Sequence, residues 1–88
     1  MFYVYLLQSE KTKKWYTGST NDLQKRFKQH NNNSSVYTKN KGPWKLIYYE
    51  ACLSKSDAFT REKYLGSGMG IRYLKNRLKS FLSLTEWI

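Results

Sequence analysis

One cysteine, one proline and one histidine in 88 residues remove several possibilities at once. Cys52 has no partner for an internal disulfide, and with His30 as the only histidine a zinc site of four Cys and His ligands cannot be assembled. Cys52 reads instead as a small hydrophobe at the end of a strand. No apolar run approaches the roughly 18 residues of a membrane-spanning helix, and the chain starts as a strand rather than as a signal peptide. Acid is scarce as well: six Asp and Glu face sixteen Lys and Arg, a formal charge of +10. An excess of that size repels itself and calls for a polyanionic partner, with nucleic acid first among them. A membrane surface is disfavoured because no basic amphipathic helix dominates the chain. The length suits a single domain over residues 1–88 with one modest core, and the expected compartment is the cytoplasm.

Aromatic residues, by contrast, are plentiful at 17% of the chain, and each buried ring removes a large apolar area from water. Phe2, Val4 and Leu6 alternate with Tyr3, Tyr5 and Leu7, a pattern apolar on both faces that predicts a central strand. Gln8 to Lys13 is polar and predicts a hairpin loop, and Trp15 to Ser19 a returning strand. Gly18 leaves room at the end of that strand for another backbone or a ligand. Asn21 with Gln24 resembles a capping box for a helix to about Asn31, with Leu23 and Phe27 facing inward and Arg26 and His30 beside them. Residues 31–43 form a long polar loop, the kind that tends to carry function or motion.

Trp44 to Ala51 alternates Trp44, Leu46 and Tyr48 against Lys45, Ile47 and Tyr49 and predicts a third strand. Ser54 with Asp57 opens a helix to about Leu65, which the glycines of 66–70 end. Ile71, Leu74, Leu78 and Leu82 then predict one final amphipathic helix with Arg72, Lys75 and Lys79 outward. The expected fold is α/β: a small three-stranded antiparallel sheet flanked by helices, in the order strand, strand, helix, strand, helix, helix.

Glu62 is the sharpest clue to chemistry. It follows Ala58 by four and precedes Leu65 by three, so it belongs to a face that should be buried, where a carboxylate needs a cation, a metal or a proton. An internal salt bridge, for instance to Arg26, competes with a functional role. Asp22 and Asp57 suit first turns of helices, Glu10 a hairpin loop, Glu50 a strand end and Glu86 the C-terminal tail. A two-metal site needs several converging carboxylates, so any metal here is a single Mg²⁺ or Mn²⁺ ligated by Glu62, water and phosphate.

Arg26 and His30, four apart, can face one spot. The guanidinium matches a phosphate and the negative charge of its transition state, and the imidazole can orient a nucleophile or move a proton. An exposed Arg beside a satisfied His is the plainer account of the same pair. Tyr5 and Tyr16, on neighbouring strands, can bring their hydroxyls beside that helix; with eight tyrosines in the chain, most are structural.

Taken together, Tyr3-Val4-Tyr5, Tyr16-Thr17-Gly18, the run from Asp22 to His30, and Arg61-Glu62 resemble the GIY-YIG nuclease superfamily. They resemble in particular its small single-domain bacterial members, related to the nuclease domain of the excision-repair incision subunit. The resemblance spans essentially the whole chain and implies a divalent-metal-dependent DNA endonuclease, structure-selective or engaged in DNA repair. By position it makes Tyr5, Tyr16, Arg26, His30 and Glu62 catalytic, with Glu62 also the metal ligand and Asn76 a weaker match for a late asparagine that organises the site. Tyr37-Thr38, Lys39 and Lys41 resemble a substrate-facing loop, and Arg72 and Lys75 extend the basic surface towards DNA. The chain departs from the name motif in carrying Tyr3-Val4 for Gly-Ile and Thr17 for Ile, positions that are structural in the family. Additional DNA-reading domains are absent, so specificity would rest on DNA shape, a protein partner or a homodimer. Two rivals remain: a nucleic-acid-binding module of the same fold that does not cut, stacking bases on Trp15, Trp44 or Tyr37, and a protein-interaction or RNA-associated domain.

Overall fold

The computed structural model describes residues 1–86 of the chain. Its elements follow the expected order: β1 (Phe2–Ser9), β2 (Trp15–Thr20), α1 (Leu23–Asn31), β3 (Trp44–Cys52), α2 (Lys55–Leu65), α3 (Gly68–Arg77) and α4 (Lys79–Glu86). The strands form one antiparallel sheet ordered β2-β1-β3, so the strand that is apolar on both faces is the central one. Val4 and Leu6 point to one face and meet Ala58, Leu65 and Leu74 of α2 and α3. Tyr5 and Leu7 point to the other and meet Trp44, with Leu23 and Phe27 of α1 packed around them. Each fully buried large side chain contributes on the order of 1.5–3 kcal/mol, and the two clusters clamp the sheet from both sides. No helix among the described residues is long and apolar enough to cross a membrane.

Four local expectations need correction. The polar loop starts later than its composition suggests, because β1 runs on to Ser9. The Ser9 hydroxyl accepts from the Lys11 and Thr12 amides and donates to the Lys41 carbonyl, which satisfies the turn from within. At α1 the cap is Asp22 rather than Asn21: the Asp22 carboxylate accepts from the Lys25 amide at 3.1 Å. On β3, strict alternation fails at a bulge opposite Leu6 and Leu7, where the register steps from Tyr48 to Leu46. The extra residue places both Ile47 and Tyr48 on the α2 side, while Trp44 and Leu46 pack on the α1 side.

The fourth correction concerns the last helix, which is two helices. The Leu78 amide closes α3 on the Leu74 carbonyl, with Leu78 out of helical geometry, and α4 begins at Lys79. The Ser54 cap of α2 is as expected, its hydroxyl accepting from the Asp57 amide. Ser67 caps α3 in the same way, and Gly70 lets the new helix sit on the end of α2: a Cβ there would run into the Tyr64 carbonyl and Leu65. Cys52 ends β3 half-buried against the α2-side core.

Candidate active site

Tyr5 and Gly18 are partners across the β1–β2 ladder. A Cβ on Gly18 would strike the Tyr5 hydroxyl and the ring carbon that bears it, so the missing side chain is what lets the phenol lie across β2. There the Tyr5 hydroxyl meets His30 Nε2 at 2.7 Å, and His30 Nδ1 meets the Thr38 hydroxyl at 2.7 Å. Both ring nitrogens are therefore engaged, and His30 and Thr38 are fully buried. Thr38 is itself fixed by its carbonyl, which accepts from Trp44 Nε1 at 3.1 Å. Tyr16 flanks the imidazole with its ring centre 5.0 Å away, and lies 6.5 Å from the ring of Tyr5.

Arg26, one turn before His30, lies beside both tyrosine hydroxyls, and its Nη1 donates to Gln29 Oε1 at 3.0 Å. Glu62 arrives from the opposite face of the sheet. Ser19 points to the α2 side of β2, and its hydroxyl donates to Glu62 Oε1 at 2.6 Å. β2 is an edge strand, with the phenols on its α1 side and the carboxylate on its α2 side. The charges of Arg26 and Glu62 both act on Tyr5 and on Tyr16. The internal salt bridge to Arg26 does not form: the one ion pair among the described residues is Arg61–Glu50.

The electrostatics favour neutral groups at rest. Burial pushes the Tyr5 hydroxyl up to about 12, an effect that the neighbouring Arg26 only partly offsets. Tyr16 is raised for the same first reason, against the pull of Arg26. His30 is lowered to about 4, chiefly by burial and then by the Arg26 charge, so it is uncharged near neutrality. Buried as it is, His30 meets the centre through the Tyr5 hydroxyl.

Glu62 tests the fit of a metal. Among the described residues no three or more His, Cys, Asp or Glu gather into a ligand cage. A single half-buried carboxylate suits a hard ion that keeps most of its water and completes its shell with substrate phosphate. The donor set therefore fits Mg²⁺ or Mn²⁺ and not a closed structural ion.

The other expected residues are placed more loosely. Tyr37 is 74% exposed on the 31–43 loop and lies near Tyr16. Lys39 and Lys41 are exposed on the same loop. Arg72 and Asn76 share a hollow on α3 with Met69 and Tyr73, and Lys75 lines another with Lys13, Lys14 and Trp15. These hollows bring none of the three against the phenols. Sequence reasoning passed over Ser19 and placed Thr38 only in the substrate-facing loop, not as the partner of His30. A buried histidine needs a partner on each nitrogen, which was the available pointer to a hydroxyl in the loop that returns to Trp44.

A family profile described as the GIY-YIG catalytic domain matches residues 1–67, the stretch that carries Tyr5, Tyr16, Arg26, His30 and Glu62. The chain belongs to the GIY-YIG family. That family is one of nucleases, and the described relatives are small proteins like this one. A UPF0213 protein of Clostridium perfringens is 47% identical over 66 residues, 74% of this chain and 70% of its own. The UPF0213 protein YazA of Bacillus subtilis is 44% identical over 55 residues, 61% of this chain and 56% of its own. The solution structure of a UPF0213 protein from Bacillus halodurans superposes with a TM-score of 0.50 at 34% identity, covering 92% of this chain and 85% of that one.

Proposed function

We propose that this GIY-YIG domain is a divalent-metal-dependent DNA endonuclease that hydrolyses a phosphodiester bond at the β2 edge. The observation that carries the reading is the buried Tyr5–His30–Thr38 chain lying beside Arg26, with Glu62 held by Ser19 on the opposite face of the sheet. Arg26 binds the scissile phosphate and stabilises its added charge in the transition state. Glu62 holds the cation, held in turn by Ser19; Mg²⁺ or Mn²⁺ when bound supplies Lewis-acid stabilisation to the phosphate oxygens.

Proton transfer falls to the buried relay. The attacking water loses a proton to the Tyr5 oxygen as Tyr5 passes its own to His30 Nε2, with Nδ1–H donating to Thr38. Tyr16 positions the water from the other side. The negative phosphate raises the proton affinity of His30, opposing the burial that lowers it, and adds to the burial that keeps the Tyr5 phenol protonated. The net charge of +10 serves substrate capture. The domain, spanning residues 1–88, acts in the cytoplasm on DNA, with a partner or a second copy supplying specificity.

The test is cleavage of nicked, branched and single-stranded DNA with Mg²⁺, with Mn²⁺ and with a chelator. Product that appears with metal and vanishes with chelator is expected. Binding without product on every substrate would instead make the protein a non-cutting module.

A further inference from the structure

A hollow of about 620 Å³ opens next to the centre, on the α2 side of β2. That volume falls in the range of sites that hold one small ligand. Its apolar wall is built from Phe2, Ala58 and Phe59, and its polar rim includes Ser19, Asn21 and Lys55. Ser19 is the shared element, since the same side chain lines the hollow and donates to Glu62. Ala58 and Phe59 precede Glu62 by four and three residues, so the wall and the carboxylate lie one helical turn apart on adjoining faces of α2.

Phe59 belongs to neither core cluster. It is 53% exposed, and the Lys63 ammonium lies 4.4 Å from the centre of its ring. An aromatic ring at the surface with one cation over it and another cation, Lys55, at the rim matches a base and its phosphate rather than a protein side chain. An amide and a hydroxyl at the rim can read the hydrogen-bonding edge of a base, an edge that a duplex keeps occupied.

Resting on the nuclease reading above, we infer that this hollow is the subsite for one unpaired nucleotide next to the scissile phosphate, with its base against Phe59 and its phosphate at Lys55. The substrate class is then DNA with a single-stranded nucleotide beside the cut: a flap, a fork or a frayed junction. A fully paired duplex would have to flip a base out before the bond could reach Glu62.

The subsite is read by binding, so its fate is separate from that of the cleavage chemistry. A fluorescent flap oligonucleotide is titrated without metal against the wild-type protein and Phe59→Ala. A second flap carries an abasic residue at the unpaired junction position. The wild type is expected to bind the intact flap roughly tenfold more tightly than the abasic one, and Phe59→Ala to bind both equally. Phe59 is exposed, so the variant should fold, and its unfolding midpoint is checked in parallel. Equal affinity of the wild type for the two flaps overturns the subsite, and so does a preference that survives in Phe59→Ala. Absence of metal-dependent cleavage, with the tenfold preference intact, would sink the nuclease reading and leave the subsite standing.

Discussion

Two polar clusters flank α2, and only one of them is closed. Towards β3, Arg61 donates to both oxygens of Glu50 at 2.8 and 2.9 Å, and the Tyr48 hydroxyl donates to the same carboxylate at 2.6 Å. Tyr64 and Tyr73 stack on the guanidinium, with ring centres 5.2 and 5.0 Å away. Each charge there has its partner, and the Arg61 hydrogen bonds hold the Glu50 carboxyl below its usual range. Towards β2, the neighbouring Glu62 receives a neutral hydroxyl from Ser19, and Arg26 meets a neutral amide and two phenols, with no ion pair to either among the described residues. Successive residues of a helix point about 100° apart, so adjacent positions on one helix serve the two clusters. A closed ion pair stabilises; a carboxylate without a counter-charge keeps the capacity to take up a ligand.

The largest expected effect separates the clusters by activity. Glu62→Gln keeps an oxygen for Ser19 and removes the charge a metal needs, so cleavage should fall about a thousandfold while the unfolding midpoint stays near that of the wild type. Unchanged metal-dependent cleavage would show that the open carboxylate is not the metal ligand.

Acid should then open the β2 side before the β3 side. His30 titrates near 6.5 in an unfolded chain and near 4 in the folded one. Between those values the unfolded state takes up a proton that the native state refuses, so stability falls as the pH drops through that window. The loss should be on the order of 3 kcal/mol by its lower end, with none further from this group below it. Glu50, whose pKa is depressed, works in a lower window: its contribution is present above its ordinary 4.5 and is lost only below that. Urea unfolding at pH 7, 5.5 and 4.5 checks the order, and His30→Gln should flatten the upper window. A stability flat down to pH 4.5 would mean that the buried imidazole is charged.

Much of the open cluster was legible because it obeys local periods. Arg26 and His30 are one turn apart, Tyr5 and Tyr16 stand on neighbouring strands, and Glu62 was the acid left over once caps and loops had claimed the rest. The fold was legible for the same reason, since only β1 is apolar on both faces. The closed cluster was not. Glu50 read as a strand-end residue and Arg61 as part of a motif, because an ion pair between positions eleven apart on different elements leaves no period in the sequence. The pairings of Thr38 with His30 and of Ser19 with Glu62 were hidden likewise, since the partners lie 8 and 43 residues away. The bulge at Ile47 escaped because alternation in the sequence continues through it, and only the pairing with β1 shows the slip.

A third perturbation tests how the open cluster is aimed. Gly18→Ala puts a methyl group where the Tyr5 hydroxyl lies. The ring must move off His30, at a cost of about 1–3 kcal/mol from overpacking, and cleavage should fall by roughly a hundredfold through misplacement alone. DNA binding without metal should hold, since Arg26 and the lysines are untouched. Cleavage at the wild-type rate would remove the Tyr5–His30 contact from the mechanism.

The smallest effect is the mirror image of the first. Glu50→Gln leaves Arg61 without its counter-charge, but the guanidinium side chain is 33% exposed and remains between two aromatic rings. A fully buried pair broken on one side costs about 3–5 kcal/mol; exposure here reduces that to roughly 1–2 kcal/mol. The unfolding midpoint should drop accordingly, and the acid loss below pH 4.5 should shrink, while cleavage at a temperature where the variant is folded should change by no more than a few-fold. The two substitutions remove the same charge from opposite sides of one helix. If Glu50→Gln instead abolished cleavage in a folded protein, the Arg61–Glu50 pair would be a positioning device that sets the angle of α2, and with it the direction in which Glu62 points.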